Sequence, residues 1–177
     1  MQYFIGIVPP QKFTVKMIQF QNRWPNNRLQ EVVEPHITVK AQGGLYPDLE
    51  WLQHVKKVCS SYPPFELSLS APICIGDSVI GLGVRSQHLS ELHIRLVRAV
   101  SPSPELIARY FELDSYLPHL TLGQTRWGLN GAELTEMKAL ARTELTPFPI
   151  WTVTHLRVYT EIQPDKYVLY EDIALLG

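Results

Sequence analysis

Hydrophobic and polar positions along the chain predict a mixture of strands and helices. Residues 65–72 alternate apolar and polar side chains with a period of two, as a half-buried strand does. Leu89, Leu92 and Leu96 recur instead at helical spacing, which gives a helix over 87–100 one apolar face. The same reasoning predicts strands at 3–8, 36–40, 65–72, 78–84, 119–123, within 148–162 and at 167–175, and helices near 11–23, 49–59, 87–100 and 134–141.

The order of these elements is similar in the two halves of the chain. His36 and His119 lie 83 residues apart, and Pro64-Phe65 and Pro147-Phe148 show the same separation. The shared offset predicts an internal duplication of a strand-helix-strand-strand unit. We therefore expect residues 1–177 to form a single two-lobed α+β domain.

Composition and charge narrow the class of partner. Lys and Arg number 16 against 17 Asp and Glu, so the basic excess of a protein that tracks along a duplex is missing. An RNA end or a small anionic ligand needs only a few local cations.

Cys59 and Cys74 form no metal-binding or disulfide pattern and are predicted to be reduced, mostly buried thiols. We expect a soluble, cytoplasmic protein with no membrane contact and no obligate protein partner.

One sequence pattern that carries chemistry occurs twice. Residues 35–39 (PHITV) and 118–122 (PHLTL) each read Pro-His-apolar-Thr-apolar. Because side chains alternate between the two faces of a strand, His36 and Thr38 share one face and the aliphatic residues share the other. If a pseudo-twofold relates the halves, the two strands bring two imidazoles and two hydroxyls to one cleft.

This set of side chains suits phosphodiester chemistry. A neutral imidazole can accept a proton from an attacking hydroxyl or water, and a protonated imidazole opposite can donate one to the leaving ribose oxygen. Threonine hydroxyls can donate hydrogen bonds to the non-bridging phosphate oxygens. This chemistry needs no metal or cofactor, and none is predicted; the paired roles predict a bell-shaped pH–rate profile. The candidate catalytic residues are His36, Thr38, His119 and Thr121.

Four further residues are candidates for substrate binding. Lys40 lies four positions after the first motif histidine and shares its face if the alternation continues, which would add a cation. Tyr3 and Tyr159, on an early and a late strand, are candidates to stack on a base or to reach phosphate. Arg126, beside Trp127 and just after the second motif, is a candidate to hold an anion. The other histidines are interpreted as structural: His54, His88, His93 and His155.

The doubled motif resembles that of the two-histidine (2H) phosphoesterase superfamily, which includes bacterial RNA 2′,3′-cyclic phosphodiesterases, also called 2′-5′ RNA ligases. That family has two His-x-Thr/Ser-apolar motifs about half a chain apart, here HITV at 36–39 and HLTL at 119–122. The segments PHLTLGQ and YEDIALLG are most similar to its small YjcG-like branch. The resemblance implies a bilobal α+β fold with two antiparallel sheets around a central groove.

The resemblance also implies individual roles, with His36 as proton donor, His119 as proton acceptor, and Thr38 and Thr121 binding phosphate. The resulting hypothesis is a metal-independent phosphoesterase that opens 2′,3′-cyclic phosphates or cleaves 2′-5′ linkages at RNA ends or in small nucleotides. Two alternatives stay open. One is a non-catalytic module that binds RNA ends or nucleotides, and the other is a 2′-5′ RNA ligase that runs the same chemistry in reverse.

Overall fold

Eight strands and six helices make up the computed structural model, which describes residues 1–177. The strands are β1 (Tyr3–Ile7), β2 (Ile37–Lys40), β3 (Phe65–Ile75), β4 (Val79–Arg85), β5 (His119–Gln124), β6 (Ile150–Val153), β7 (His155–Gln163) and β8 (Lys166–Ala174). The helices are α1 (Gln11–Gln21), α2 (Leu29–Val32), α3 (Glu50–Ser60), α4 (Gln87–Val100), α5 (Pro104–Arg109) and α6 (Gly131–Glu144). All strand pairs are antiparallel, in the order β6-β3-β4-β5-β2-β1-β7-β8.

The strand order is symmetric about its centre, where the two motif-bearing strands β2 and β5 are neighbours. They share one registered pair, Ile37 with Leu120, so a short seam joins two four-stranded halves. The expected arrangement of two sheets is therefore corrected to one continuous sheet. Only Thr154 separates β6, which pairs with β3, from β7, which pairs with β1, so the sheet curls to bring these parts together.

The predicted duplication holds for one of its two landmarks. The two histidines stand at equivalent places, because β2 and β5 occupy matching positions about the centre of the sheet. Phe65 begins β3, which matches β7 in that symmetry, whereas Phe148 precedes β6 at the edge of the sheet. The second shared offset therefore does not mark equivalent strands.

The aliphatic residues of both motifs lie in the main hydrophobic core. Ile37 and Val39 of β2 and Leu120 and Leu122 of β5 are fully buried. Helix α4 packs on β2, and helices α1 and α6 pack on β5. Burial of this face fixes the strand orientation, because a slip of one residue would expose every apolar side chain.

Two short helices were not predicted. Helix α2 has four residues and helix α5 has six, which is too short for an apolar period to show in the sequence. The Ser103 side chain caps α5 by accepting a hydrogen bond from the Leu106 N–H. Cys59 is buried, but Cys74 is exposed, which corrects part of the cysteine prediction. None of the helices is long and apolar enough to cross a lipid bilayer.

Candidate active site

The two motif histidines are held by their backbones in the same way. Nδ1 of His36 lies 2.9 Å from the carbonyl oxygen of Glu34, and Nδ1 of His119 lies 2.8 Å from that of Leu117. A carbonyl can only accept a hydrogen bond, so each Nδ1 is the donor. In the neutral ring this leaves Nε2 without a proton, and Nε2 is then free to accept one.

Strand β2 contains a bulge immediately after its threonine. Against β1, Thr38 pairs with Gly6 and Lys40 pairs with Ile5, so Val39 is an extra residue. A bulge of this kind interrupts strict alternation of side chains. The expectation that Lys40 shares the face of the motif histidine is therefore wrong.

Lys40 is fully buried and does not line the groove. Its Nζ lies 2.8 Å from Glu112 Oε1, 2.9 Å from the carbonyl oxygen of Ala41 and 2.6 Å from that of Gly43. Burial lowers the pKa of Lys40, and the carboxylate of Glu112 opposes that effect. The side chain thus holds the loop after β2 to the segment before β5 and is not a substrate-binding cation.

Strand β5 repeats the bulge at the same position. Against β4, Thr121 pairs with Gly81 and Gly123 pairs with Ile80, so Leu122 is the extra residue. Each motif therefore continues two residues past its histidine in regular register and then bends. The repeated bulge gives the imidazole and the hydroxyl of each half the same relative placement.

A glycine on the neighbouring strand gives each imidazole its space. A Cβ on Gly6 would lie 3.5 Å from His36 Cδ2 and 3.0 Å from the carbonyl oxygen of Ile37. A Cβ on Gly81 would lie 3.2 Å from His119 Cδ2 and 3.0 Å from the carbonyl oxygen of Leu120. Any larger residue at these two positions would push on the ring or the strand.

One groove of about 560 Å³ is lined by all four motif side chains, His36, Thr38, His119 and Thr121. Two imidazoles and two hydroxyls therefore border a single space open to solvent. No group of three or more His, Cys, Asp or Glu side chains is arranged to hold a metal ion.

Of the other residues predicted to bind substrate, Arg126 lines the groove and Tyr3 does not. Arg126 and Trp127 line the groove, and Arg126 forms an ion pair with Asp165 at 2.9 Å. Tyr3 does not line it, because alternation along β1 places Phe4 on the groove face and Tyr3 in the core. The expected contact of Tyr3 with substrate is therefore wrong.

Tyr159 is also buried and does not line the groove, so its predicted contact with substrate is wrong as well. Its ring stacks on Phe4 at a centroid distance of 4.5 Å, and its hydroxyl lies 3.0 Å from Glu34 Oε1. Phe4 in turn packs 4.8 Å from the ring of His36. Tyr159 therefore supports the first histidine from behind.

The residue that precedes the first motif ties it to a network of charges. Glu34 Oε1 lies 2.7 Å from Nη1 of Arg157, and Arg157 binds both carboxylate oxygens of Asp172 at 2.8 Å. The equivalent residue before the second motif is Leu117, which has no charge to offer. The network therefore fixes the backbone carbonyl that orients His36 and has no counterpart beside His119.

These surroundings set the proton affinities of the two rings. Burial lowers the pKa of His36 to about 4, against the hydrogen bond to the Glu34 carbonyl, and the charge of a protonated His119 acts in the same direction as burial. Burial also lowers the pKa of His119, against the hydrogen bond to the Leu117 carbonyl. Both shifts favour the neutral imidazoles at pH 7 in the free protein.

A further histidine that the sequence marked only as structural supports β2. His93 is buried, and its Nδ1 donates to the carbonyl oxygen of the bulge residue Val39 at 2.7 Å. Its Nε2 accepts from the Leu113 N–H at 2.9 Å, so both ring nitrogens are satisfied. The ring stacks at 3.8 Å on Tyr116, whose hydroxyl donates to the Thr38 carbonyl at 2.8 Å. The sequence held one indication of this role, because His93 lies on the same face of α4 as the buried leucines.

The fold and the groove together define the class of two-histidine phosphoesterases. The chain belongs to the 2′-5′ RNA ligase superfamily, because the model of that family matches residues 9–164. Membership in this family fits a phosphoesterase or ligase role. The finer resemblance to the YjcG-like branch stays a prediction.

Solved structures show the same fold at low sequence identity. TT0787 of Thermus thermophilus is 16% identical, with a TM-score of 0.69, and the match covers 100% of this chain and 99% of that one. Escherichia coli LigT, crystallised with NADP+, is 19% identical with a TM-score of 0.62, covering 99% and 98% of the two chains. A protein described as a phosphoesterase is 18% identical with a TM-score of 0.62, covering 99% of both. A search of curated proteins gives no match.

Proposed function

We propose that this protein is a metal-independent phosphoesterase that opens 2′,3′-cyclic phosphates or cleaves 2′-5′ phosphodiester bonds at RNA ends or in small nucleotides. One observation carries the proposal: two imidazoles, each with Nδ1 bound to a backbone carbonyl, line one groove with two threonines. Crystal structures of LigT hold 3′-AMP and phosphate, and ligands of that kind suit a groove of this size.

The reaction needs one neutral and one protonated imidazole. The neutral ring takes a proton from water as the water oxygen forms a bond to phosphorus. The bond from phosphorus to one ribose oxygen breaks, and the protonated ring gives that oxygen its proton. The net result is addition of one water and a phosphomonoester product. The hydroxyls of Thr38 and Thr121 donate hydrogen bonds to the non-bridging oxygens as charge develops on them.

These groups supply both proton transfers and the binding of the developing charge, which is why the proposed mechanism includes no metal. A metal would otherwise polarise the phosphoryl group or activate the water. Here the water is activated by an imidazole and the phosphate is held by hydroxyl donors.

The assignment of the two rings is part of the proposal. The family resemblance implies His36 as donor and His119 as acceptor. In the free groove burial lowers the pKa of His36 to about 4, so this ring is neutral near pH 7. The implied roles therefore require the bound phosphate anion to raise the pKa of His36.

Turnover in a chelator tests the proposal. Purified protein in EDTA is offered uridine 2′,3′-cyclic phosphate and a 2′-5′-linked dinucleotide, and product is measured by chromatography. We expect turnover that falls at least about 100-fold in His36→Ala and in His119→Ala, the range typical of general acid–base catalysis. His54→Ala, a change at an exposed histidine outside the groove, is the matched control.

Other outcomes distinguish the alternatives. Turnover that requires added metal would overturn the mechanism. Binding of both nucleotides without turnover would indicate a nucleotide-binding module. The family name favours a second activity, 2′-5′ RNA ligation, in which a 5′-hydroxyl takes the place of water. The hydroxyl gives its proton to the neutral imidazole as its oxygen bonds to phosphorus, the bond from phosphorus to the 3′ oxygen breaks, and the protonated imidazole gives that oxygen its proton. In a dilute solution of RNA ends, water competes with the 5′-hydroxyl and hydrolysis is favoured. Ligation is therefore expected only at high concentrations of RNA ends.

A further inference from the structure

The two chain connections that line the groove differ in chemistry although they occupy equivalent places in the fold. Helices α1 and α2 lie in the connection from β1 to β2, and helices α4 and α5 lie in the connection from β4 to β5. From the first connection the apolar residues Leu29, Val32 and Val33 line the groove. From the second, Arg109 and Tyr110 line it. A pseudo-symmetric pair of connections therefore offers an aliphatic surface on one side and a cationic, aromatic surface on the other.

Arg109 is the one ionised side chain of the groove lining that lacks an opposite charge. The lining contains four such side chains, and three of them are paired: Glu34 with Arg157 at 2.7 Å, and Arg126 with Asp165 at 2.9 Å. Arg109 has no carboxylate within 4 Å and is exposed. The groove therefore holds one unbalanced positive charge, away from the motif residues in sequence.

The position of Arg109 is defined by the packing of its neighbour. The guanidinium carbon of Arg109 lies 5.7 Å from the ring centroid of Tyr110. The Tyr110 ring in turn packs over Gly43, where a Cβ would lie 3.1 Å from Cδ2, and the Tyr110 N–H donates to the Leu106 carbonyl at 3.1 Å. The loop after β2 and the end of α5 thus hold the aromatic ring on which the guanidinium rests.

The side of the groove near the first connection has an aromatic residue but no unpaired charge. The Arg28 N–H donates to the carbonyl oxygen of Trp127 at 2.8 Å, which places Trp127 beside the start of α2. Trp127 therefore lines the groove on the side of Leu29 and Val32. A nucleobase, which is flat and largely apolar on its faces, fits this side of the groove better than a second phosphate does.

We propose that Arg109 binds a second phosphate of the substrate, in addition to the phosphate that reacts. This inference rests on the proposed function and narrows its substrate to nucleotides or oligonucleotides that carry an additional phosphate on the 5′ side. Arginine suits the task because its planar guanidinium donates two parallel hydrogen bonds to phosphate oxygens. The additional phosphate is either a 5′-terminal monoester or the next diester of an RNA backbone.

The kinetic test compares three substrates that share one reacting group. They are uridine 2′,3′-cyclic phosphate, its 5′-phosphorylated form, and the dinucleotide UpU ending in a 2′,3′-cyclic phosphate. For Arg109→Gln we expect kcat/KM to fall about tenfold or more on the two substrates that carry a second phosphate, as expected for loss of a charged hydrogen bond. On uridine 2′,3′-cyclic phosphate, which has only the reacting phosphate, kcat/KM should fall less than twofold. Arg109→Lys should lose less. Arg98→Gln, an exposed change outside the groove, is the control.

Each outcome of that comparison is decisive. A loss on the 5′-phosphorylated nucleotide alone identifies a terminal monoester, and a loss on the dinucleotide as well identifies the backbone diester. Equal losses on all three substrates, or none, would overturn the inference. Circular dichroism of Arg109→Gln checks that the variant is folded.

A binding measurement separates this inference from the proposed function. Calorimetric titration compares adenosine 3′,5′-bisphosphate with adenosine 3′-monophosphate, and neither needs to react. The wild type should prefer the bisphosphate about tenfold, and Arg109→Gln should lose that preference. The preference without turnover of any substrate would leave the subsite standing and refute the phosphoesterase. Turnover without the preference would refute the subsite alone.

Discussion

The two halves of the groove share a backbone and differ in what surrounds it. In both halves a carbonyl two residues upstream orients the imidazole, a glycine lies beside the ring, and a bulge follows the threonine. Phe4, which packs on His36, has Val79 as its counterpart two residues before the glycine of β4. The shared backbone places the two rings, and the unlike neighbours set their proton affinities.

The largest expected effect tests whether the two rings play different roles. Uridine 2′-(4-nitrophenyl phosphate) has a leaving group that needs no proton, so loss of the donor costs little and loss of the acceptor costs as much as before. If His36 is the donor, His36→Ala should lose at least about 100-fold on a 2′-5′-linked dinucleotide but only a few-fold on the nitrophenyl ester. The release of nitrophenolate gives the rates.

The same measurement on His119→Ala completes the comparison. It should lose about 100-fold on both substrates if His119 is the acceptor. The mirror-image result would exchange the roles. Equal behaviour of the two variants on both substrates would contradict distinct roles.

The next prediction tests the glycine beside each motif imidazole, which both halves of the groove have. Gly6→Ala and Gly81→Ala each add a Cβ 3.0 Å from a backbone carbonyl and close to a motif imidazole. We expect kcat to fall roughly 10- to 100-fold in both, because small displacements of catalytic groups are costly. Gly131→Ala, where no atom lies within 4 Å of the added carbon, is the control and should keep full activity.

A smaller effect tests the charged side chain of Glu34, which only the half of the groove with His36 has. Glu34→Gln keeps the backbone carbonyl but removes the negative charge that raises the pKa of His36. The pKa of His36 should fall further and that of His119 should stay unchanged, with a loss of activity of a few-fold. NMR titration of the two imidazoles measures both values. A matching shift at His119 would show that the network acts on the whole groove.

The last prediction concerns stability rather than activity. Burial lowers the pKa of His36, His93 and His119 in the folded protein below the ordinary value near 6.5. Below that value the histidines of the unfolded chain bind protons that the folded rings do not bind. The free energy of unfolding is therefore highest above pH 6.5 and falls as the pH drops toward 4. The slope is at most about 1.4 kcal/mol per pH unit for each proton.

Urea unfolding at pH 7 and pH 5 measures this loss. The difference in unfolding free energy between the two pH values should shrink in His36→Asn, because one titrating group is gone. An unchanged difference would contradict the lowered pKa of His36.

The sequence predicted the elements that have a long apolar period and the residues that share a strand face. It placed both motifs on strands at the centre of the fold because Pro-His-apolar-Thr-apolar carries its own period of two. It misplaced Lys40, because a bulge after Thr38 reverses the alternation and leaves no mark in the residues themselves.

Other parts of the site depend on tertiary contacts. Glu34 and Arg157 are 123 residues apart, and Arg109 reaches the groove through a six-residue helix that the apolar pattern does not show. Tyr3 and Phe4 are adjacent on one strand, and only the packing of β1 decides which of them faces the groove. The four motif residues that line the groove could therefore be predicted from local pattern, whereas the difference between the two halves of the groove could not.

The account depends most directly on where a phosphate sits between the two rings. A crystal structure of the protein with adenosine 3′-monophosphate measures this. We predict one phosphate group within hydrogen-bond distance of Nε2 of both His36 and His119, with the two threonine hydroxyls on its oxygens. A phosphate bound to a single imidazole, or bound elsewhere with the groove left open, would contradict the account.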